Sequence, residues 1–231
     1  MAAKKTKTLE MSNSRQKYHE LFNEIVCNDG QAAFRDAVMD DKHNVILVDA
    51  VSGSGKTLIS VTCAKQLVSN EYYRNCVFIA PTPNEEDLGY RPGTTSEKLA
   101  DYMVPLRQAL MKIGEEPDKV IAYDLDDNFK DSSKWLIFCS QSFLRGVNFE
   151  NQIVIIDEAQ NFTVPQIKKI VSRAHDNCKV IIIGSSSQCD IGADKSCFAR
   201  LMQHMEVFDG YIKCELPISY RGKLAMHIDK L

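Results

Sequence analysis

The sequence predicts an α/β domain built on a mostly parallel sheet with helices on both faces. Short, continuous apolar runs recur along the 231 residues and alternate with stretches of helical periodicity. Strands of this kind are buried on both faces, as the strands of parallel sheets are. Two of the runs, Val45–Val48 and Ile153–Ile156, are followed directly by polar residues suited to chemistry. In such sheets the carboxyl ends of the strands form the crevice in which ligands bind.

The N-terminal part predicts helices before the first strand. Residues 1–14 are polar and Lys-rich, and we expect a disordered tail. Apolar residues at helical spacing predict an amphipathic helix from Arg15 to Cys27, which Asn28-Asp29-Gly30 ends. A second helix is predicted over Gln31–Met39. Residues 15–231 are expected to form a single domain.

The rest of the chain alternates between strands and helices. The predicted strands are Val45–Asp49, Cys76–Ala80, Lys134–Cys139, Ile153–Asp157, Lys179–Gly184 and Tyr211–Glu215, with a further short strand near Val120–Tyr123. The predicted helices are Lys56–Ser69, Glu97–Ile113, Val164–His175 and Ser196–Glu206. Thr163 followed by Gln166 has the sequence of a capping box at the start of one helix. Residues 81–96 and 124–133 are predicted to be loops.

Composition excludes several classes of protein. The net charge is −3, so the chain lacks the overall basic character of many nucleic-acid-binding proteins. Eight cysteines are scattered without a C-x-x-C pair, which argues against a zinc site. Neither a secretory signal nor an apolar stretch of membrane-spanning length is present. We therefore expect a reduced, cytoplasmic protein without a membrane segment.

The segment after the first strand carries a phosphate-binding signature. Ala50-Val51-Ser52-Gly53-Ser54-Gly55-Lys56-Thr57 leads from strand to helix in the manner of the P-loop NTPases. Backbone N–H groups and the positive end of the helix hold a triphosphate in such loops. Lys56 would reach the β- and γ-phosphates, and the Thr57 hydroxyl would ligate Mg²⁺. The expected nucleotide-binding residues of this segment are Ser52, Gly53, Ser54, Gly55, Lys56, Thr57 and Leu58.

Polar residues after three later strands complete the predicted site. Asp157 and Glu158 end an apolar strand, where Asp157 would hold Mg²⁺ and Glu158 would orient or deprotonate the attacking water. Gln188 follows the next strand and is a candidate sensor of the γ-phosphate or of the metal-bound water. Arg221 follows the last strand and is a candidate for neutralising charge in the transition state, in cis or from a neighbouring subunit. A polar loop and a surface arginine are the alternative interpretations of these last two residues.

These residues resemble the PhoH family of P-loop ATPases, which is related to superfamily 1 helicases. The segment Ile156–Asn161 matches the DEAQN motif of the family residue for residue. The other matching segments are Leu88–Gly93, Glu97-Lys98, Tyr102–Leu110, Leu144–Gly146, Gln188 with Asp190, and Arg221. The resemblance implies a RecA/helicase-like core that uses ATP and Mg²⁺, in which Gln31 reads the adenine. It also implies a ring of identical subunits, expected to be a hexamer, that acts on RNA or single-stranded DNA.

Several positions depart from the family pattern. Ala50 replaces the first glycine of the P-loop and fits only if its φ is negative. Thr82-Pro83 or Ala80-Pro81 stands where the family has Arg-Pro, so one basic contact is missing. Ser185 replaces an aspartate, which affects γ-phosphate sensing. These departures suggest a divergent, phage-type member. We also expect the stand-alone form of the family, because no nuclease-type acidic segment precedes the ATPase segment. Basic and aromatic residues are candidates for a nucleic-acid groove, namely Tyr90, Arg91, Lys98, Tyr102, Arg107 and Arg145. A solvated helix face or a subunit contact is an equally good interpretation of each of them.

Three functions compete at this point. The leading hypothesis is Mg²⁺-dependent ATP hydrolysis coupled to handling of RNA or single-stranded DNA. The second is a nucleotide-gated assembly protein with little turnover, which Ala50 and Ser185 suggest. The third is a small-molecule kinase, which the sequence disfavours because such kinases use an arginine-rich lid and only Arg200 and Arg221 occur near the C-terminus.

Overall fold

The computed structural model describes residues 25–82, 100–123, 133–140, 144, 147–192 and 194–228. Within them the protein forms a seven-stranded sheet in the order β3-β4-β2-β5-β6-β1-β7. Every strand pairing is parallel, which confirms the predicted α/β fold. The strands are β1 (Val45–Ala50), β2 (Cys76–Ala80), β3 (Ile121–Ala122), β4 (Leu136–Ser140), β5 (Ile153–Ile156), β6 (Lys179–Gly184) and β7 (Tyr211–Leu216).

Helices cover both faces of this sheet. They are α1 (Asp29–Met39), α2 (Lys56–Ser69), α3 (Val104–Lys112), α4 (Pro117–Val120), α5 (Val164–Val171), α6 (Phe198–Met205) and α7 (Lys223–Ile228). Two 3₁₀ turns, Ala100–Met103 and Ala159–Asn161, precede α3 and α5. In the part of the chain that the structure describes, no helix has the length and apolarity needed to span a bilayer.

The core consists of two layers because side chains alternate across each strand. One layer packs the sheet against α1, α2 and α3, with buried Phe34, Ile46, Ile59, Phe78, Leu106 and Phe138. The other packs it against α5 and α6, with buried Leu47, Ile79, Val154, Phe162, Ile167 and Phe198. Strands β1 and β5, which precede the P-loop and the acidic pair, are thereby packed on both faces. The residues that follow these two strands start from rigid positions.

The start of α1 corrects one prediction. Helix α1 begins at Asp29 instead of the predicted Gln31, because Asn28 is its N-cap and both Asp29 and Gly30 are helical. The Asn28 side chain accepts a hydrogen bond from the Gln31 backbone N–H at 2.8 Å, and the Gln31 side chain accepts one from the Asn28 N–H at 3.0 Å. Of the predicted helix over residues 15–27, residues 15–24 lie outside the described part, and residues 25–27 are not helical.

Two predicted helices are shorter than the periodicity indicated. Helix α5 begins with the predicted Thr163–Gln166 capping box but ends at Val171 instead of His175. The backbone of residues 173–175 pairs with Phe149, whose N–H donates to the Arg173 carbonyl, and so it is not available for helical bonds. Helix α3 begins only at Val104, where Pro105 occupies the first turn and needs no N–H partner.

Smaller differences concern element ends and unpredicted elements. Residues 117–120 form the turn of α4 before the short strand β3, and α6 starts at Phe198 instead of Ser196. Helix α7 was not predicted. The predicted loops 81–96 and 124–133 fall outside the described residues except at Pro81, Thr82 and Ser133. Other strand ends move by one or two residues, as is usual for boundaries read from sequence.

The cysteines form no disulfide. All eight are free thiols, and six of them are buried. Burial raises the pKa of the Cys63 thiol and raises that of Cys139 to about 12, so these thiols stay protonated and act as small apolar core residues.

Candidate functional site

The loop between β1 and α2 has the backbone of a phosphate cradle. Gly53 and Gly55 adopt left-handed conformations, with φ of 75° and 82°, which favour glycine. Helix α2 starts at Lys56 and no side chain caps its N-terminus. Its first N–H groups and its positive dipole end therefore face the loop, as an anion site requires. The Ser54 hydroxyl is buried and has no hydrogen-bond partner within the described residues.

Ala50 meets the condition that the sequence left open. It is the last residue of β1 and is buried. The described non-glycine residues with positive φ are Glu71, Asn151 and Glu158, so Ala50 has the negative φ that alanine tolerates. Replacement of glycine at this position is compatible with the loop.

The acidic pair after β5 lies against the P-loop. The Thr57 hydroxyl donates to Asp157 Oδ2 at 3.0 Å, and Lys56 Nζ lies 2.6 Å from Glu158 Oε1. Residues separated by about a hundred positions are thus joined by two direct contacts at the carboxyl edge of the sheet. The predicted metal residues, Thr57 and Asp157, are adjacent, and so are the predicted catalytic residues, Lys56 and Glu158.

Burial affects the charge of Asp157, and the backbone conformation of Glu158 separates the two carboxylates. Burial raises the pKa of the Asp157 carboxyl, the positive charge of Lys56 opposes this shift, and Glu158 adds to it. Glu158 has φ of 52°, a left-handed conformation that costs an L-residue about 1 kcal/mol. Its N–H donates to Asp157 Oδ1 at 2.9 Å. The turn directs the two neighbouring carboxylates to different partners.

The loop after β6, Ser185–Gln188, is attached to Glu158 through Gln160. The Ser185 N–H donates to Gln160 Oε1 at 3.0 Å, and Gln160 Nε2 donates to Glu158 Oε2 at 2.5 Å. Further along, Asn161 and Asp190 exchange two hydrogen bonds of 2.8 and 2.9 Å. Gln188, a predicted sensor, lies half-buried in this loop, and its side chain makes no hydrogen bond to another described residue.

Gln31 lies on the opposite side of the P-loop. Its Nε2 donates to the Ser54 carbonyl at 2.8 Å, so the side chain is fixed beside the loop. After its bonds to Ser54 and Asn28, the Gln31 amide has one N–H and one lone pair without a partner among the described residues. Leu58 follows in α2, and its side chain packs against the core instead of facing the loop. Only the backbone of Leu58 is suited to contact a nucleotide.

The segment after β7 crosses the P-loop within the same chain. The Ser219 hydroxyl donates to the Ser52 carbonyl at 2.8 Å, and the Tyr220 N–H donates to the Gly53 carbonyl at 3.0 Å. The Arg221 side chain packs so closely on Gly53 that a Cβ there would lie 2.5 Å from Arg221 Cγ. Arg221, predicted to act in cis or from a neighbour, is therefore beside the loop in cis.

Sequence analysis assigned no individual role to four residues of this region, Asn28, Asp49, Gln160 and Tyr220. Tyr220 is 61% exposed, and its hydroxyl accepts a hydrogen bond of 2.8 Å from Asn28 Nδ2. Gln160 connects Glu158 to the loop after β6, and Asp49 accepts from the Ser186 N–H at 2.9 Å. Two signals were visible in the sequence. They are the Asn-x-x-Gln spacing of Asn28 and Gln31, which is typical of a helix cap, and the carboxylate of Asp49 inside an apolar strand. The Tyr220 contact was not, because it joins residues 192 positions apart.

The candidate groove residues are mostly outside the described part of the chain. Tyr90, Arg91, Lys98 and Arg145 lie outside it. Arg107 is described and makes two hydrogen bonds to Asp118, of 2.8 and 3.1 Å, and Tyr102 is half-buried against the core.

Comparisons with known proteins agree with this geometry. A family described as PhoH-like protein matches residues 25–219. The chain is 30% identical over 165 residues to the protein PhoH of Escherichia coli K12, which covers 71% of this chain and 44% of that protein. It is 29% identical over 167 residues to a PhoH-like protein of Bacillus subtilis, covering 71% of this chain and 50% of that protein. The chain thus spans about half the length of these relatives.

A solved structure supports the fold. The UvsW helicase from bacteriophage T4 superimposes with a TM-score of 0.51 at 16% identity, over 80% of this chain and 59% of that one. At this level of identity the likeness concerns the fold alone. It confirms the α/β core of the P-loop NTPase and helicase type.

Proposed function

Because the chain belongs to the PhoH-like family, we propose that it binds ATP and hydrolyses it between the P-loop and the acidic pair after β5. The observation that carries the proposal is the pair of contacts joining Lys56 to Glu158 and Thr57 to Asp157. A lysine and a hydroxyl from the helix start face two carboxylates from a neighbouring strand end. This is the arrangement that phosphoryl transfer to water requires.

The residues of the cradle fit a triphosphate. The uncapped N-terminus of α2 supplies backbone donors, and the buried Ser54 hydroxyl is a further polar group without a partner in the described chain. A polyphosphate satisfies such groups, whereas an unpaired buried hydroxyl costs free energy. Thr57 and Asp157 provide the hard oxygen ligands that Mg²⁺ prefers. When bound there, Mg²⁺ would neutralise charge on the β- and γ-phosphates.

ATP binding changes the partner of Lys56. The Lys56 side chain is only 11% exposed, so its ion pair with Glu158 is shielded from water on the lysine side. A γ-phosphate competes for the same ammonium group and carries more negative charge than one carboxylate. Once Lys56 turns to the phosphate, Glu158 is released from it while Gln160 still holds the other carboxylate oxygen. The freed oxygen accepts a proton from the attacking water.

In the proposed complex, the adenine of ATP contacts the surface beside Gln31. The Gln31 amide can make further hydrogen bonds to the adenine. The exposed Tyr220 ring lies near Gln31, because Asn28 bonds to both residues. A tethered aromatic ring is a platform on which a purine stacks. The aliphatic part of Arg221 packs over Gly53, and we expect its guanidinium to compensate phosphate charge in the same chain.

We extend the proposal to handling of RNA or single-stranded DNA in a ring of identical subunits. The support is membership in the PhoH-like family and the helicase-type fold, since UvsW is named as a helicase. Hydrolysis in such a protein is expected to rise when nucleic acid is bound.

The test is steady-state phosphate release from ATP and Mg²⁺, with and without single-stranded RNA or DNA. Lys56→Ala is expected to abolish release. Lys65→Ala is the matched control, because Lys65 lies on the same helix and pairs with Glu115 at 2.7 Å, away from the P-loop. Release that both variants retain, or that wild type lacks under every condition, overturns the proposed hydrolysis. Release that nucleic acid leaves unchanged overturns the extension only.

A further inference from the structure

Asp49 is a carboxylate in an otherwise apolar strand directly before the P-loop. Strand β1 reads Val-Ile-Leu-Val-Asp-Ala, and Asp49 is its one half-buried position. A fixed negative charge at this place opposes binding of a polyphosphate. Nucleotide binding therefore does not account for the aspartate, and its contacts indicate another role.

Asp49 holds the backbone of the serine loop, defined here as Ser185–Gln188. Asp49 Oδ1 accepts a hydrogen bond of 2.9 Å from the Ser186 N–H. The preceding N–H, of Ser185, donates to Gln160 Oε1 at 3.0 Å. The first two peptide N–H groups of the loop are thus bound by side chains from two different places, the end of β1 and the turn after β5.

The position of β6 explains this double attachment. Strand β6 lies between β1 and β5, so the serine loop emerges between the P-loop and the acidic pair. Beneath the loop, Gly184 is in contact with the Phe198 ring, and a Cβ on Gly184 would lie 2.4 Å from it. The loop is therefore supported from below by Phe198, on the P-loop side by Asp49 and on the acidic side by Gln160.

We propose that Asp49 is a positioning residue that clamps the serine loop between the P-loop and Glu158. Through the Ser185 N–H, the clamped loop keeps Gln160 oriented toward Glu158. A hydrogen bond to a carboxylate is stronger than one to a neutral acceptor, so Asp49 fixes the loop more firmly than an uncharged side chain does. This role rests on the proposed ATP hydrolysis, and Asp49 acts in it through the backbone of the serine loop.

Three variants separate positioning from a simple charge effect. Asp49→Ala removes the acceptor, and Asp49→Asn keeps an acceptor oxygen without the charge. Glu215→Ala is the matched control, because Glu215 is the register partner of Asp49 on β7 and bonds to Lys213 instead of the loop. In steady-state phosphate release, Asp49→Ala is expected to lower kcat about tenfold with no rise in KM. Asp49→Asn should recover part of kcat, and Glu215→Ala should match wild type.

Hydrogen exchange gives a second readout that does not depend on turnover. The Ser186 amide is expected to exchange about tenfold faster or more in Asp49→Ala, and near the wild-type rate in Asp49→Asn and Glu215→Ala. Faster exchange across the whole sheet, or equal kcat in Asp49→Ala and Glu215→Ala, overturns the positioning role while leaving ATP hydrolysis intact. If wild type shows no turnover, the proposed function fails, and an unchanged Ser186 rate in Asp49→Ala then overturns the clamp as well.

Discussion

Lys179 is a buried lysine at the start of a central strand, and its titration provides a quantitative test of the packing of α1. Its side chain crosses from β6 to the end of α1, where Nζ donates to the Val38 and Asp40 carbonyls at 2.7 and 2.8 Å. These carbonyls lie at the helix C-terminus, where intrahelical donors are missing. Lys179 thereby secures the helix whose first turn carries Gln31.

The magnitude follows from the pKa of this amine. Burial lowers the pKa of Lys179 from its ordinary 10.5 to about 8, while Asp41 and Asp40 act in the opposite direction. Between these values the unfolded chain holds a proton that the folded chain has released, so stability rises with pH through this window. One pKa unit corresponds to about 1.4 kcal/mol, so the gain is on the order of 3 kcal/mol. The neutral amine keeps two N–H groups and can still donate to both carbonyls.

The assay is urea unfolding of wild type and Lys179→Met at intervals from pH 7 to 10.5. The free energy of unfolding of wild type minus that of the variant is expected to rise by about 3 kcal/mol across this range. Buried thiols such as Cys76, whose pKa burial raises, lower the stability of the protein at high pH. This effect is the same in wild type and variant and cancels in the difference. A difference that is flat or falls with pH would refute the assigned environment of Lys179.

Three further variants test contacts around the site. Gly184→Ala should lower the free energy of unfolding by about 1–3 kcal/mol, because the Cβ of the alanine overlaps the Phe198 ring. Adding Phe198→Leu should restore most of the lost stability. A double variant as unstable as Gly184→Ala alone would contradict this cause. Tyr220→Ala should weaken ATP binding, measured by calorimetry, by about 1–3 kcal/mol. Tyr220→Phe keeps the ring and loses only the hydrogen bond from Asn28, so its loss should be smaller, and equal losses would contradict stacking as the cause. Gln160→Ala should reduce kcat of phosphate release about tenfold at constant KM, because Glu158 loses the hydrogen bond from the Gln160 amide. An unchanged kcat would show that Gln160 does not orient Glu158.

The fold and the centre of the site were predictable because their signals are local. Strands such as Ile153–Ile156 are continuous apolar runs, and period and length suffice to recognise them. The parallel sheet then requires that groups after strand ends, such as Lys56 and Glu158, meet at one edge. Their contact at 2.6 Å follows from topology more than from any local preference.

The features that sequence reasoning missed depend on tertiary contacts. Helix α5 stops at Val171 because Phe149, more than twenty residues earlier, takes the backbone that would continue it. Lys179 opens a strand of apolar character, and only the approach of α1 shows why a lysine is accommodated there. The hydrogen bond of Asn28 to Tyr220 connects the two ends of the described chain, and no pattern within either segment indicates it.

The most direct test of the proposed mechanism compares Glu158→Gln with wild type in both ATP binding and phosphate release. The substitution keeps the shape of the side chain but removes the ion pair with Lys56 that ATP must displace. Glu115→Gln is the control, because it breaks the ion pair of Lys65, which lies on the same helix as Lys56 but away from the P-loop. We predict that Glu158→Gln binds ATP more tightly while its turnover falls about a hundredfold or more. Turnover at the wild-type rate, or weaker ATP binding, would contradict the account.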